Sequence, residues 1–228
     1  MRKWGIVISA FYAVIVLGLL VPAAISLGYK DSLGAVLSRD LIEAYSEWIV
    51  WIPIVAVVTG QATLLFLSID TSFKKLKPRT HIAVSVIAAS MLFALLAFAL
   101  FSVIGATVNG DRFIDKFWAT EARVLAMWAG LWVVWGIIFF AYFRKSSVTT
   151  ARTVSWLLKG SVLELLIAVP CHVWVRRRGD CSAPVATSFG IVTGIALMLL
   201  SFGPGVLLLY KKRLDVYAER VAKVNAAS

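Results

Sequence analysis

Glu164 is the residue of this sequence best suited to chemistry, because it is a carboxylic acid in the middle of a long apolar stretch. Its segment reads VSWLLKGSVLELLIAVPCHVWVRRRGDCSAP, from Val154 to Pro184. A charge at the centre of a bilayer costs about 2.5–3.5 kcal/mol on insertion scales, so such a residue is retained for pairing or for function. Burial favours the neutral acid, which suits proton-coupled transport or a proton relay. The alternative is a structural hydrogen bond from Glu164 to Gln61 or to a threonine.

Two cysteines and a histidine lie near the outer end of this segment. Cys171 and Cys181 are the only cysteines of the chain. Both fall on the side that we expect to be oxidising, which favours a disulfide between them. The alternative is a metal or redox site on Cys171, His172 and Cys181, since two thiols and an imidazole suit a soft or borderline metal ion. The sequence has no CxxC motif, which argues against a thioredoxin-like dithiol.

Three consecutive arginines, Arg176, Arg177 and Arg178, follow at the same end. Their simplest role is contact with lipid phosphates. The alternative is a clamp for an anionic ligand or an acidic partner at the outer mouth, because the planar guanidinium group pairs well with phosphate and carboxylate.

Trp128, Trp132 and Trp135 recur at helical spacing and form a stripe on one face of a predicted helix. Tryptophan usually collects at membrane interfaces. A stripe that reaches mid-membrane therefore indicates either ordinary helix packing or a wall for a flat ligand such as a quinone. Polar residues in the middle of another helix are candidate partners for Glu164. The candidate ligand-binding residues are Thr59, Gln61, Trp132, Trp135, Glu164, Arg176, Arg177 and Arg178.

Known catalytic motifs are absent: the sequence contains no GxSxG, no HExxH, no P-loop and no dinucleotide fingerprint. It also offers no nucleophile–base pair of known spacing. We therefore predict no catalytic residue, and the identity of any cofactor stays open. His81 and His172 are expected on opposite sides of the membrane, which excludes a haem held by both.

The composition of the chain requires contact with lipid. Of its residues, 61% are hydrophobic and 15% are charged, whereas a soluble domain has about 25% charged residues. The net charge of +11 does not indicate nucleic-acid binding, because the basic residues stand in short runs between apolar segments. Apolar stretches of about 20 residues predict membrane-spanning helices. The predicted spans are residues 4–27, 48–69, 82–104, 123–142, 153–175 and 185–210.

The predicted fold is therefore an all-α membrane protein, a single-domain bundle of six transmembrane helices. Lysine and arginine are more frequent in the loops on the side of both termini, which predicts cytoplasmic termini in a bacterial inner membrane. Residues 211–228 are expected to continue the last helix as a cytoplasmic tail. On the outer face, Ser32–Trp48 and Asp111–Ala122 predict short amphipathic helices in the interface. The Gly190–Gly194 pattern favours close packing within the bundle over dimerisation.

Three functional hypotheses follow. The first is binding or transport of a small anionic or amphiphilic ligand, which enters from the outer side past the arginines while Glu164 titrates. The second is a non-catalytic subunit of a larger membrane complex, with other membrane proteins or further copies of the chain as partners. The third is a quinone- or thiol-linked membrane oxidoreductase component that uses Cys171 and Cys181.

Overall fold

The chain folds as an all-helical bundle in a computed structural model that describes residues 2–29, 40–70, 78–143 and 149–202. No strand occurs within these ranges. Six helices are long and apolar enough to cross a membrane, which confirms the predicted fold class. Spans 1 to 6 are, in order, Gly5–Tyr29, Trp48–Leu67, Ala83–Asn109, Glu121–Tyr142, Thr153–Arg178 and Ala183–Phe202.

Several of the helices extend past these apolar windows. Span 2 belongs to a helix that covers Trp48–Asp70, span 3 to Pro78–Asn109, span 4 to Glu121–Phe143 and span 5 to Thr149–Arg178. Span 1 consists of helices Arg2–Ile15 and Val21–Tyr29, joined by a π-helical turn at Val16–Leu20. The predicted tail at 211–228, and the end of the last predicted span at residue 210, lie outside the described residues.

Span 3 is the central helix of the bundle. It packs against spans 2, 4 and 5, and 61% of its apolar window is buried, compared with 6% for span 4. Its buried positions include several alanines, and small side chains let neighbouring helices approach closely. Span 4 therefore lies at the periphery of the bundle and presents most of its surface to lipid.

Glycines on span 6 make its contact with spans 3 and 5. A Cβ atom built on Gly190 would lie 2.2 Å from Cγ2 of Val103 and 3.6 Å from Cβ of Ala168. A Cβ atom on Gly194 would lie 2.9 Å from Cγ of Leu165. The pattern of small residues is thus used inside the bundle, as the sequence predicted.

Two short helical segments lie outside the six spans, one before span 2 and one after span 3. The first, Leu41–Ser46, is the described part of the predicted helix at 32–48. The second runs through Asp111–Phe113 into a π-helical turn at Ile114–Trp118, which agrees with the second predicted amphipathic helix. It folds back along span 3, because the ring of Phe113 lies against Gly105.

Candidate functional site

Arg178 ties the end of span 5 to the end of span 3. Its guanidinium group donates hydrogen bonds to the backbone carbonyls of Thr107, at 2.9 Å, and Ala106, at 3.2 Å, and it forms an ion pair with Asp180. The last carbonyls of a helix have no partner within the helix and attract positive charge. The arginine supplies both the donors and the charge that the end of span 3 requires.

Asp111 makes the matching contact at the start of span 6. Its carboxylate accepts hydrogen bonds from the backbone N–H groups of Ser182, at 2.9 Å, Ala183, at 3.0 Å, and Cys181, at 3.1 Å. The backbone hydrogen bonds from Ala183 and Ser182 are the largest causes that lower the pKa of Asp111 to about 2. Asp111 is therefore an N-cap supplied from a distant part of the chain.

Arg176 has a similar role at the end of span 1. Its guanidinium group donates to the backbone carbonyl of Leu27 and, at 3.1 Å, to that of Gly28. Arg177 is exposed, and no hydrogen bond or ion pair joins it to another described residue. Two of the three arginines therefore bind helix ends within the bundle, whereas Arg177 has no partner among the described residues.

The predicted disulfide is absent, because Cys171 and Cys181 are both free thiols. The helix of span 5 continues past Cys171 to Arg178, which carries the chain about 10 Å further along the axis at 1.5 Å per residue. Cys181 follows beyond this point, so the two Cα atoms are too far apart for a disulfide, which needs a separation below about 7 Å. The two thiols are likewise too far apart to act as the redox pair that the thiol-linked oxidoreductase hypothesis requires.

His172 is occupied by a partner on span 6. Its Nδ1 lies 2.8 Å from Oγ1 of Thr187, and both residues are buried. The part of the chain that the structure describes contains no group of three His, Cys, Asp or Glu side chains arranged for a metal ion. The proposed set of Cys171, His172 and Cys181 is not brought together.

Glu164 is fully buried. The residues one turn before and after it place it between spans 3 and 6: Gly160 lies against Leu96, and Ala168 lies against Gly190. Neither carboxyl oxygen has a hydrogen-bond partner among the described residues. Spans 3 and 6, at 83–109 and 183–202, contain no ionisable residue. The acid therefore has no counter-ion from either helix, and the neutral form is the less costly one to bury.

Gln61 is also buried, and its Oε1 has no partner in the described ranges. Its neighbour Gly60 contacts Leu92 of span 3. Glu164 follows Gly160 by one helical turn, and Gly160 contacts Leu96 of the same span, so Glu164 lies further along span 3, away from Leu92. Counted at 1.5 Å per residue, Gln61 and Glu164 are separated by roughly 13 Å in depth. The structural hydrogen bond between them does not form. Thr59 instead donates to the backbone carbonyl of Val55 in its own helix.

The mid-membrane tryptophans of span 4 pack against span 3. Nε1 of Trp132 donates a hydrogen bond of 3.1 Å to Oγ of Ser90, and the ring of Trp135 lies 5.2 Å from that of Phe93. These contacts correspond to the helix-packing interpretation of the stripe. Trp128 differs from the other two, because it lines a cavity.

A cavity of about 810 Å³ lies between spans 1, 2, 3, 4 and 6. Its body is apolar, with Val57 on span 2, Leu95 on span 3 and Val192 on span 6. On span 1 it reaches from Tyr29 to Val16, about 20 Å along the helix axis. The Leu41–Ser46 helix closes part of its wall, held there by a hydrogen bond from the Tyr45 hydroxyl to the carbonyl of Leu17.

Four of the residues that line this cavity are acidic and none of the described ones is basic; the acidic residues are Asp40, Glu43, Glu47 and Glu121. Thr193, which is 5% exposed, also lines the cavity. No hydrogen bond joins its hydroxyl to another described residue. The cavity thus combines a mostly apolar lining with four carboxylates and a hydroxyl that has no partner among the described residues.

None of the ligand-binding residues predicted from the sequence lines this cavity. Glu164 packs on the Gly190 face of span 6, whereas the cavity is lined by other faces of that helix, with Val192 about 160° and Thr193 about 60° from Gly190 around the axis. The sequence did contain one signal for the cavity: the acidic residues of the loop before span 2 lie on the polar face of the predicted amphipathic helix.

Comparison of the chain with protein-family models, with curated proteins and with solved structures finds no match.

Proposed function

We propose that this membrane protein binds a small amphiphilic molecule in the cavity between spans 1, 2, 3, 4 and 6. The observation that carries the proposal is the cavity itself, with its volume of about 810 Å³. Ligand pockets usually measure about 300–1,000 Å³ and combine an apolar lining with a few placed polar groups. This cavity has both properties.

The distribution of polar groups favours an amphiphile over a wholly apolar or wholly polar ligand. Four acidic residues and many apolar side chains, among them Val57, Leu95 and Val192, line the same cavity. A molecule with a polar head and an apolar tail fits this mixed lining. An anionic ligand is not proposed, because the three arginines do not line the cavity and two of them hold helix ends.

Proton-coupled transport of the same ligand is a second candidate function, and Glu164 favours it. The acid is buried without a hydrogen-bond partner among the described residues, and it does not line the cavity. A change in its protonation would alter the packing of span 5 on span 6, and span 6 also forms a wall of the cavity. We propose this coupling as the reason why an unpaired acid is retained.

Fluorescence quenching in lipid nanodiscs tests the binding proposal, because Trp118 and Trp128 line the cavity. Brominated dodecyl maltoside is the probe, since bromine quenches tryptophan on contact. We expect saturable quenching with one site per chain, above the linear quenching that the probe causes through the lipid. Linear quenching alone would overturn the proposal.

A pair of double variants supplies the matched comparison. Ala24→Phe with Ala196→Phe fills the cavity, because both alanines line it, and it should remove the saturable component. Ala126→Phe with Ala129→Phe adds the same rings at exposed positions of span 4, and it should leave that component unchanged. Equal quenching in the two double variants would contradict the proposed site.

A further inference from the structure

We infer that the head group of the amphiphile is cationic, an amine or a quaternary ammonium, and that it lies among Glu43, Glu47 and Glu121. The inference rests on the proposed function and specifies the ligand of the same cavity. Its basis is the charge of the lining, the depth of Glu121 and the aromatic rings that line the same cavity.

The lining carries a charge opposite to that of the chain as a whole. The chain has 23 basic and 12 acidic residues, yet four of the acidic residues and none of the described basic ones line this cavity. The only ion pair within the described ranges is that of Arg178 with Asp180, so these four carboxylates have no protein counter-ion there. A cationic head group would supply the missing charge.

Glu121 does not stand level with the end of span 3. Trp132 is hydrogen bonded to Ser90, which aligns spans 4 and 3. Counted outward from this pair at 1.5 Å per residue, Glu121 lies about 12 Å lower than Asn109 at the end of span 3. Glu43, Glu47 and Glu121 are exposed, so a cationic head group can reach all three while its tail lies against the apolar lining.

Aromatic rings and a hydroxyl complete the site. Trp118 and Trp128 both line the cavity, and tryptophan is the best aromatic partner for ammonium groups. Thr193 lies on span 6 about 12 Å deeper than Val185, which lines the same cavity. Thr193 is 5% exposed, and no hydrogen bond joins its hydroxyl to another described residue, so it can bond a polar atom of the ligand. These groups add to the recognition by the carboxylates.

Competition between head groups tests the inference. Dodecyltrimethylammonium and dodecyl sulfate, which share one tail, each displace the neutral brominated dodecyl maltoside from the protein in nanodiscs. We expect the cationic competitor to act at about tenfold lower concentration, since each carboxylate contributes as a partly exposed ion pair. High salt should reduce the difference.

The variant Glu43→Gln, Glu47→Gln, Glu121→Gln removes three charges with little change of shape, and it should bring the two competitors within about twofold of each other. Asp115→Asn is the control, because Asp115 is exposed and does not line the cavity; the tenfold preference should persist. The cationic head group is overturned if the two competitors displace the neutral probe equally from the wild type, or if the triple variant keeps the preference for the cationic competitor. In either case, saturable binding of the neutral probe still supports the proposed function. Loss of saturable neutral-probe binding in the wild type overturns both.

Discussion

The carboxylate of Asp111 accepts a hydrogen bond of 3.0 Å from the backbone N–H of Ala183, although 72 residues separate them in sequence. Asp111 follows span 3 directly, so this bond fixes the end of the central helix to the start of span 6. Arg178 binds the last carbonyls of span 3 from the other side. The two residues hold spans 3, 5 and 6 at a common level, and span 6 forms one wall of the cavity.

Asp111→Ala should lower the free energy of unfolding by about 0.5–2 kcal/mol, because replacing an N-cap carboxylate with alanine costs this amount. The loss is measured by thermal unfolding of the purified protein in a mild detergent. Asp115→Ala, an exposed carboxylate in the same segment, should change the value by no more than about 0.5 kcal/mol. Equal effects of the two substitutions would show that the cap does not form.

The same carboxylate predicts a pH dependence. Its pKa is lowered from 3.8 to about 2 by hydrogen bonds that only the folded chain provides. Because the pKa of Asp111 is lower in the folded protein than in the unfolded chain, its contribution to stability is complete above about pH 4 and is lost as the pH falls through about 2. The difference in stability between wild type and Asp111→Ala should therefore shrink between pH 4 and pH 2. A difference that stays constant over this window would contradict the assignment.

Gly190→Ala should destabilise the protein by about 1–3 kcal/mol, the usual cost of overpacking, because the new Cβ would meet Cγ2 of Val103 at 2.2 Å. Adding Val103→Ala should restore part of the loss. Gly130→Ala on span 4 is the control, since nothing lies within 4 Å of a Cβ there; it should stabilise the helix by about 0.5–1 kcal/mol. Similar unfolding midpoints for Gly190→Ala and Gly130→Ala would contradict the close contact between Gly190 and Val103.

Glu164→Leu should raise the free energy of unfolding by about 1–3 kcal/mol, because an apolar side chain replaces a buried polar group without a partner. Glu164→Gln should leave the fold intact. Under the transport proposal both variants lose the pH dependence of probe release from the cavity, which stopped-flow quenching measures. A large destabilisation by leucine would assign Glu164 a structural partner instead.

The helices were predictable from the sequence because their signals are local. An apolar stretch of sufficient length predicts a span wherever it packs, and the small residues at Gly190 and Gly194 mark a close helix contact. The position of helix ends was harder to predict. Span 5 runs on to Arg178 because its side chain binds Thr107, a contact that depends on the neighbouring helix, and this extension is what separates Cys171 from Cys181.

The candidate site was less predictable, because it depends on which helices are neighbours. Glu164 was prominent in the sequence as an isolated acid, but its position between spans 3 and 6 directs it away from the cavity. Asp111 and Glu121 are ordinary loop acids in the sequence. Their roles follow from contacts with spans that are distant along the chain, which periodicity and composition do not encode.

An electron cryomicroscopy map of the protein in nanodiscs with saturating dodecyltrimethylammonium is the most direct test of the binding site. We expect one elongated density between Val57, Leu95 and Val192, with its head beside Glu121. This density should disappear in the Ala24→Phe, Ala196→Phe variant. A wild-type cavity closed by side chains, or one without density under these conditions, would contradict the proposed binding site.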